Sequence, residues 1–175
     1  NKRGKWLLLS KIDSADGERG IRVSLEAQNI SVELVERWPE RALHMIAQRG
    51  FGPGAKREIF VTYDGSGKAA GIMVYNTGKA LGSRFIQIRS NTLENDFESD
   101  APFRIALPGA YEQEPGVGVS AFEIFDRQLS DDEILALSKE KSIPGMLAKA
   151  RAHLEGKKKG AIPGQAELLA HYLYD

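Results

Sequence analysis

Apolar and polar positions alternate in short runs through most of this chain. Ile21, Val23 and Leu25 alternate with Arg22 and Ser24, and Ile30, Val32 and Leu34 alternate with Ser31 and Glu33. A period of two puts successive side chains on opposite faces of a strand, so each run predicts a β-strand with one buried face. Phe85–Ile88, Phe103–Ile105 and Val117–Phe125 continue the pattern in short pieces, and Ile59–Tyr63 and Ile72–Tyr75 are apolar-rich segments of β type. Turn residues separate them: Asp16-Gly17, Gln28-Asn29, Gly50 to Gly54, Asp64-Gly65, Asn76 to Gly78 and Pro108-Gly109. Many short strands with frequent turns predict an all-β fold, an antiparallel sandwich or barrel.

After Asp126 the periodicity changes. Ser130 followed by Glu133 has the spacing of a helical capping box, and Ile134 and Leu137 give that helix an apolar edge. Ile143-Pro144-Gly145 separates it from a second predicted helix, Met146 to Leu154. Pro163 opens a third, whose buried face is Leu168, Leu169, Tyr172 and Leu173. The chain therefore divides into a β-sandwich over 1–127 and a helical tail over 128–175. No internal repeat of fixed period is present.

Composition narrows the chemistry. With 175 residues and 42% hydrophobic content, the chain is long and apolar enough for a real core. Lys+Arg and Asp+Glu both number 24, a balance that argues against nucleic acid and against an anionic membrane surface as partners. There is no cysteine, which removes disulfides, thiolate metal sites, a cysteine nucleophile and covalent haem attachment within this segment. No apolar run approaches the ~20 residues that cross a bilayer, so membrane insertion is not expected. The run Trp6-Leu7-Leu8-Leu9 is too short for a signal core, and the lack of an initial Met suggests a segment of something longer.

Asp64-Gly65-Ser66-Gly67-Lys68-Ala69-Ala70-Gly71 invites a nucleotide-binding reading. A phosphate-cradling loop needs glycines that lead into a helix, with Lys followed by Ser or Thr. Here Ala69 follows Lys68 and a β-type run comes next, so the glycines are read as hairpin punctuation.

The same stretch carries a family resemblance. Val61-Thr62-Tyr63-Asp64-Gly65, then Ile72-Met73-Val74-Tyr75-Asn76-Thr77-Gly78-Lys79, resembles the central hairpin of laminin-G-like, concanavalin A-like jelly-roll domains. Ala101 to Ile105 resembles their next strand, and Glu123 to Ile134 their closing strand and helix. With Val32 to Pro39 and the 166–175 tail, the resemblance extends over nearly the whole chain. It is nearest to the laminin-G-like domain inside large planctomycete proteins that also carry a cytochrome-type haem domain. The resemblance implies an exported, extracytoplasmic protein (periplasmic or cell surface) and a non-catalytic accessory module. Its partners would be a polysaccharide or glycan and neighbouring segments of the parent protein, with no resident cofactor. Two departures stand out: Ser120-Ala121 replaces an Asp-Asp pair before the closing strand, and strands usually found upstream of Trp6 are missing. An open edge would then need completion by a neighbouring segment or chain.

For sugar recognition the candidate residues are Trp38, Arg41 and His44: an indole to stack on a sugar face and two directional hydrogen-bonding groups. The competing reading packs Trp38 against its loop and pairs Arg41 with Glu40 or Glu36. Trp6, in an apolar run, is read as core. A catalytic alternative uses Glu94, Asp96 and Glu98, which on a strand would lie on one face as in retaining glycosidases, whose two carboxyls stand ~5–5.5 Å apart. Asn95 occupies a position that is apolar in such strands, which favours a solvated acidic loop instead. Asp13, Asp16 and Glu18 offer oxygens to calcium but lack regular ligand spacing, so a plain turn is preferred and no metal site is assigned. His44, His153 and His171 show no paired-ligand spacing. Three functions remain: a glycan-binding or interaction module, a glycoside hydrolase, and a scaffold that contacts only its parent protein.

Overall fold

The alternating runs pair as antiparallel strands. The computed structural model describes residues 5–48, 57–105 and 119–139. Its strands are β1 (Lys5–Asp13), β2 (Arg19–Glu26), β3 (Asn29–Arg37), β4 (Arg41–Ala47), β5 (Ile59–Tyr63), β6 (Ile72–Asn76), β7 (Lys79–Ala80), β8 (Ile86–Asn91) and β9 (Arg104–Ile105), and one helix, α1 (Asp131–Lys139), follows. They form a six-stranded sheet in the order β8-β4-β3-β2-β1-β9 and a three-stranded sheet, β5-β6-β7. The sheets share one core: Val23, Leu25, Ile30, Val32, Leu34, Leu43 and Met45 of the large sheet meet Ile72 and Val74 of the small one. The chain is an all-β antiparallel sandwich with a C-terminal helical extension.

The inward set of β2 and β3 is the set predicted from the alternation, and Trp6 packs against the core as expected. The outward set behaves differently. Ser24 and Ser31 are wholly buried and Glu33 is 2% exposed, so β3 is covered on both faces from Ile30 to Glu36. A half-solvated strand would have put these polar groups in water.

α1 covers the outer face of the small sheet. Leu129 and Ile134 pack with Tyr75, Phe60, Met73 and Leu137. The capping box forms as the spacing predicts: Ser130 Oγ accepts from the Glu133 N–H at 3.3 Å, and the Glu133 carboxylate accepts from the Ser130 N–H at 2.9 Å. Tyr75 Oη donates to Asp131 at 2.7 Å and Ser138 Oγ donates to Glu58 at 2.8 Å, tying the helix to the hairpin. Gly78 is required beneath it: its φ is +72°, and a Cβ there would lie 2.8 Å from Ser138 Cβ.

Several expectations need correction. The closing strand is absent over 119–125, which form no ladder. β4 was not anticipated, because Ala42-Leu43-His44-Met45-Ile46-Ala47 has no clean alternation and is rich in helix-forming residues. The β2–β3 turn lies one residue earlier than predicted, since Glu26 pairs with Asn29 and Ala27 and Gln28 form the two-residue loop. The predicted second and third helices and the Gly50 to Gly54 and Pro108-Gly109 turns lie outside the described residues.

Ala27 and Gln28 both have positive φ, 48° and 67°, the pattern of a type I′ turn, which favours Asn-Gly. The double change Ala27→Asn, Gln28→Gly removes two unfavourable left-handed residues and should stabilise the fold by about 1–2 kcal/mol. Thermal or urea unfolding measures this, and an unchanged or lower stability would show that the turn is not strained.

Candidate functional site

Register places a polar row across the outer face of the large sheet. Ser10 pairs with Arg22, Arg22 with Glu33, Glu33 with His44, and His44 with Ser90. Arg22 Nε lies 2.7 Å from Glu33 Oε2, and Arg22 Nη2 donates to Glu18 at 2.6 Å. His44 Nε2 is hydrogen-bonded to Ser31 Oγ at 2.9 Å and lies 3.9 Å from Glu33 Oε1. A serine, a histidine and a carboxylate therefore meet, a juxtaposition the sequence did not reveal. Their geometry is not that of a hydrolytic triad, in which the carboxylate holds the ring nitrogen opposite the serine; here both approach Nε2, and Ser31 is wholly buried.

Trp38 lies against two members of this row, His44 and Arg22. It sits in the β3–β4 loop, half-buried, with its backbone N–H donating to Gly17 O at 2.8 Å. Its indole meets His44 edge-on at 5.8 Å, and the Arg22 guanidinium lies 6.0 Å from the ring centre, within cation–π range. Of the sequence-predicted binding residues, Trp38 and His44 are thus brought together. Arg41 is engaged by carboxylates, with Nη1 donating to Glu36 at 3.0 Å and Nε 3.1 Å from Glu94. This pairing with Glu36 is the alternative raised for Arg41 from sequence.

Glu36 gathers the neighbouring loop. Its carboxylate accepts from the Asn95 side-chain amide and N–H, both at 2.9 Å, from the Glu94 N–H at 3.4 Å and from Arg41. The Asn95 amide is the largest influence, followed by the Asn95 N–H; together with Arg41 and the Glu94 N–H they hold the Glu36 carboxyl at about 2, against an ordinary 4.5. Asn95, out of place for a catalytic strand, is explained as the partner of Glu36.

Glu94, Asp96 and Glu98 do not lie on a strand, so the three-carboxylate face expected from their alternation does not form. Glu94 pairs with Arg41, Asp96 lies 3.4 Å from Arg19, and the Glu98 N–H donates to Asp96. Phe97 between them packs against the core and against Tyr63, ring centres 5.8 Å apart. The acidic residues of the β1–β2 loop are likewise spoken for: Asp13 caps the Ala15 N–H, Asp16 pairs with Arg19, and Glu18 with Arg22. No group of three metal-ligating side chains converges among the described residues.

The glycine-rich loop uses its own donors internally. The Ser66 N–H donates to Asp64, Gly67 to Tyr63 Oη, Ala69 to Asn91 and Gly71 to Lys68 O. A phosphate cradle needs such N–H groups free and a helix behind them. Here a single 3₁₀ turn, Ala69–Gly71, leads straight into β6. His153 and His171 lie outside the described residues. Among the described residues no helix is long and apolar enough to cross a membrane.

No family model, curated protein or solved structure matches this chain.

Arg22 and Glu33 should behave as a buried pair. Arg22→Met alone, leaving Glu33 without its arginine, should cost about 3–5 kcal/mol, whereas adding Glu33→Met should recover most of that loss. Urea unfolding of the two variants gives the comparison; equal losses would show that the pair is not coupled. Glu36 makes a separate prediction about acid. Because its folded pKa is lowered, its contribution is complete above its ordinary 4.5 and is lost as the pH falls toward 2. Glu133, lowered to about 2 chiefly by Arg127, adds to the same window. Glu36→Gln should therefore flatten, without abolishing, the decline in stability between pH 4.5 and 2. An unchanged pH profile would sink this assignment.

Proposed function

We propose that this chain is a non-catalytic binding module of the laminin-G-like, concanavalin A-like type, working in a larger extracytoplasmic protein with a glycan as its external ligand. The planctomycete cytochrome-domain proteins are the nearest resemblance on sequence motifs, and the antiparallel sandwich with its helical extension is consistent with that family. The observation that carries the reading is Trp38: a half-buried indole fixed at a loop-rich end of the sandwich by His44 and Arg22. A ring immobilised before binding loses little entropy when a sugar stacks on it. Arg41, its side chain 44% exposed, supplies hydrogen-bond donors two residues from the loop's Pro39. Its charge is already balanced by Glu36 and Glu94, which suits a neutral polyhydroxylated ligand better than an anion.

A second reading is supported by the burial of β3 on both faces. A central strand already covered on its outer face leaves less of the sheet free for an external ligand and suits a scaffold that contacts only its parent protein. Glu94 and Asp96, each beside an arginine, lend no support to the hydrolase alternative.

A polysaccharide panel, with and without calcium, separates these readings. Saturable binding by the intact chain that drops at least about tenfold in Trp38→Ala, with the fold retained by circular dichroism, is the expected result, since truncating a central aromatic anchor commonly costs 2 kcal/mol or more. A folded chain that binds no glycan would leave the scaffold reading in its place.

A further inference from the structure

Among the described residues, four strands carry the outer edges of the two sheets, and three of them are guarded. β7 and β9 are each two residues long and present exposed Lys79 and Arg104. β8 is interrupted by a register shift opposite His44/Met45, which leaves exposed Arg89 as the extra residue between Ile88 and Ser90. Shortness, charge and bulges are the devices that prevent unwanted strand pairing. β5 has none of them. Ile59-Phe60-Val61-Thr62-Tyr63 is unbulged and uncharged, and all five residues are strong strand formers.

The hydrogen-bond parity of this edge follows from its neighbours. Thr77 N–H donates to Glu58 O, and Asp64 N–H donates to Gly71 O. With the β5–β6 register, Phe60 and Thr62 must therefore exchange bonds with β6, while Ile59, Val61 and Tyr63 direct their N–H and C=O groups outward. Among the described residues these outward groups meet no partner strand. An unguarded edge that keeps its backbone groups aligned is a template for another strand.

We infer that β5 pairs with β5 of a second copy of this chain, antiparallel about a twofold axis at Phe60, merging two three-stranded sheets into one of six. The inference does not depend on the glycan reading. Keeping both cores on one side of the merged sheet requires the axis to pass through a residue rather than between two. An axis at Val61 would set Glu58 opposite Asp64 of the second copy, a like-charge pair. An axis at Thr62 would set Phe60 against Asp64 and push Ile59 beyond the strand to Gly65, a turn residue with φ +76°. At Phe60, Ile59 and Val61 exchange both backbone bonds across the axis, Glu58 faces neutral Thr62, and the two Phe60 rings meet as a non-hydrogen-bonded pair. A twofold contact of this kind also closes on itself, so pairing through the one unguarded edge among the described residues yields a dimer and no fibre.

The full 175-residue chain is tested by size-exclusion chromatography with light scattering across a concentration series. The expected mass is twice that of the chain. Val61→Pro removes only an outward N–H within the ladder and should weaken the dimer about tenfold or more while leaving the far-ultraviolet circular dichroism unchanged. Should that variant misfold, cysteine cross-linking decides instead, since the natural chain contains no thiol. Phe60→Cys should oxidise readily to a disulfide-linked dimer and Asp64→Cys should not. A monomeric mass at every concentration overturns the inference, whether the Ile59, Val61 and Tyr63 amides exchange fast or are protected by the chain's own residues. A dimer that survives Val61→Pro, or that fails to cross-link through Phe60→Cys, overturns it equally.

Discussion

The burial of β3 on both faces is the constraint from which much of this structure follows. Its inner face carries Ile30, Val32 and Leu34, an ordinary contribution to a sandwich core. Its outer face carries Ser31 and Glu33, which have no access to water and must be satisfied within the protein. Neighbouring strands meet that demand: Arg22 on β2 stands beside Glu33, and His44 on β4 bonds Ser31. The polar row therefore fixes more than a local contact. A one-residue slip of β2 would place Glu33 opposite Ile21 or Val23 and leave a buried carboxylate without its arginine, a cost of several kcal/mol, and a one-residue slip of β4 would set Leu43 or Met45 opposite Glu33 and take His44 from Ser31. Register is thus specified from both faces of the strand at once.

That requirement reaches back into the turns. The pairing of Arg22 with Glu33 holds only if the β2–β3 loop is Ala27-Gln28, because a two-residue hairpin loop sets every later pair. The loop residues are poor ones for their left-handed conformation, so the hairpin is held by its strands and not by its turn. This also explains what could and could not be read from the chain. β2 and β3 were legible from their alternation, β5 and β6 as apolar-rich runs bounded by turn residues, and the Ser130–Glu133 cap from its spacing, because these signals are local. Placing the turn at Gln28-Asn29 displaced it by one residue and the pairing by two, which hides the Arg22–Glu33 pair. β4 was illegible because a strand whose apolar residues face both ways has no period of two to detect, and with β4 unseen the approach of His44 to Ser31 could not be foreseen.

The candidate site was legible only as a list of residue types. Trp38 and His44 do meet, through a loop that returns the chain over the outer face. Arg41 proved to be part of a different arrangement, in which Glu36 binds the 94–95 backbone and Arg41 bridges Glu36 to Glu94. Carboxylates that alternate in sequence read as a catalytic face only if the segment is extended, and Glu36 instead pulls Asn95 into a loop. One buried carboxylate thus decides the fate of three others. Sequence spacing could not supply this, since Glu36 and Asn95 are far apart along the chain.

The two sheets meet their environments by opposite means. The large sheet buries polar groups and neutralises them in pairs, while its edges end in a bulge and a two-residue strand. The small sheet buries apolar groups on both faces, under the core on one side and under α1 on the other, and leaves one long edge unguarded. An edge of that composition is tolerated in a folded protein only where something regularly occupies it, because its backbone groups otherwise invite indiscriminate pairing. Evolution supplied charge, shortness or distortion at β7, β8 and β9, so the same remedies were available to β5. Their absence from β5, the one edge strand among the described residues that is both unbulged and uncharged, argues that its edge is kept for pairing.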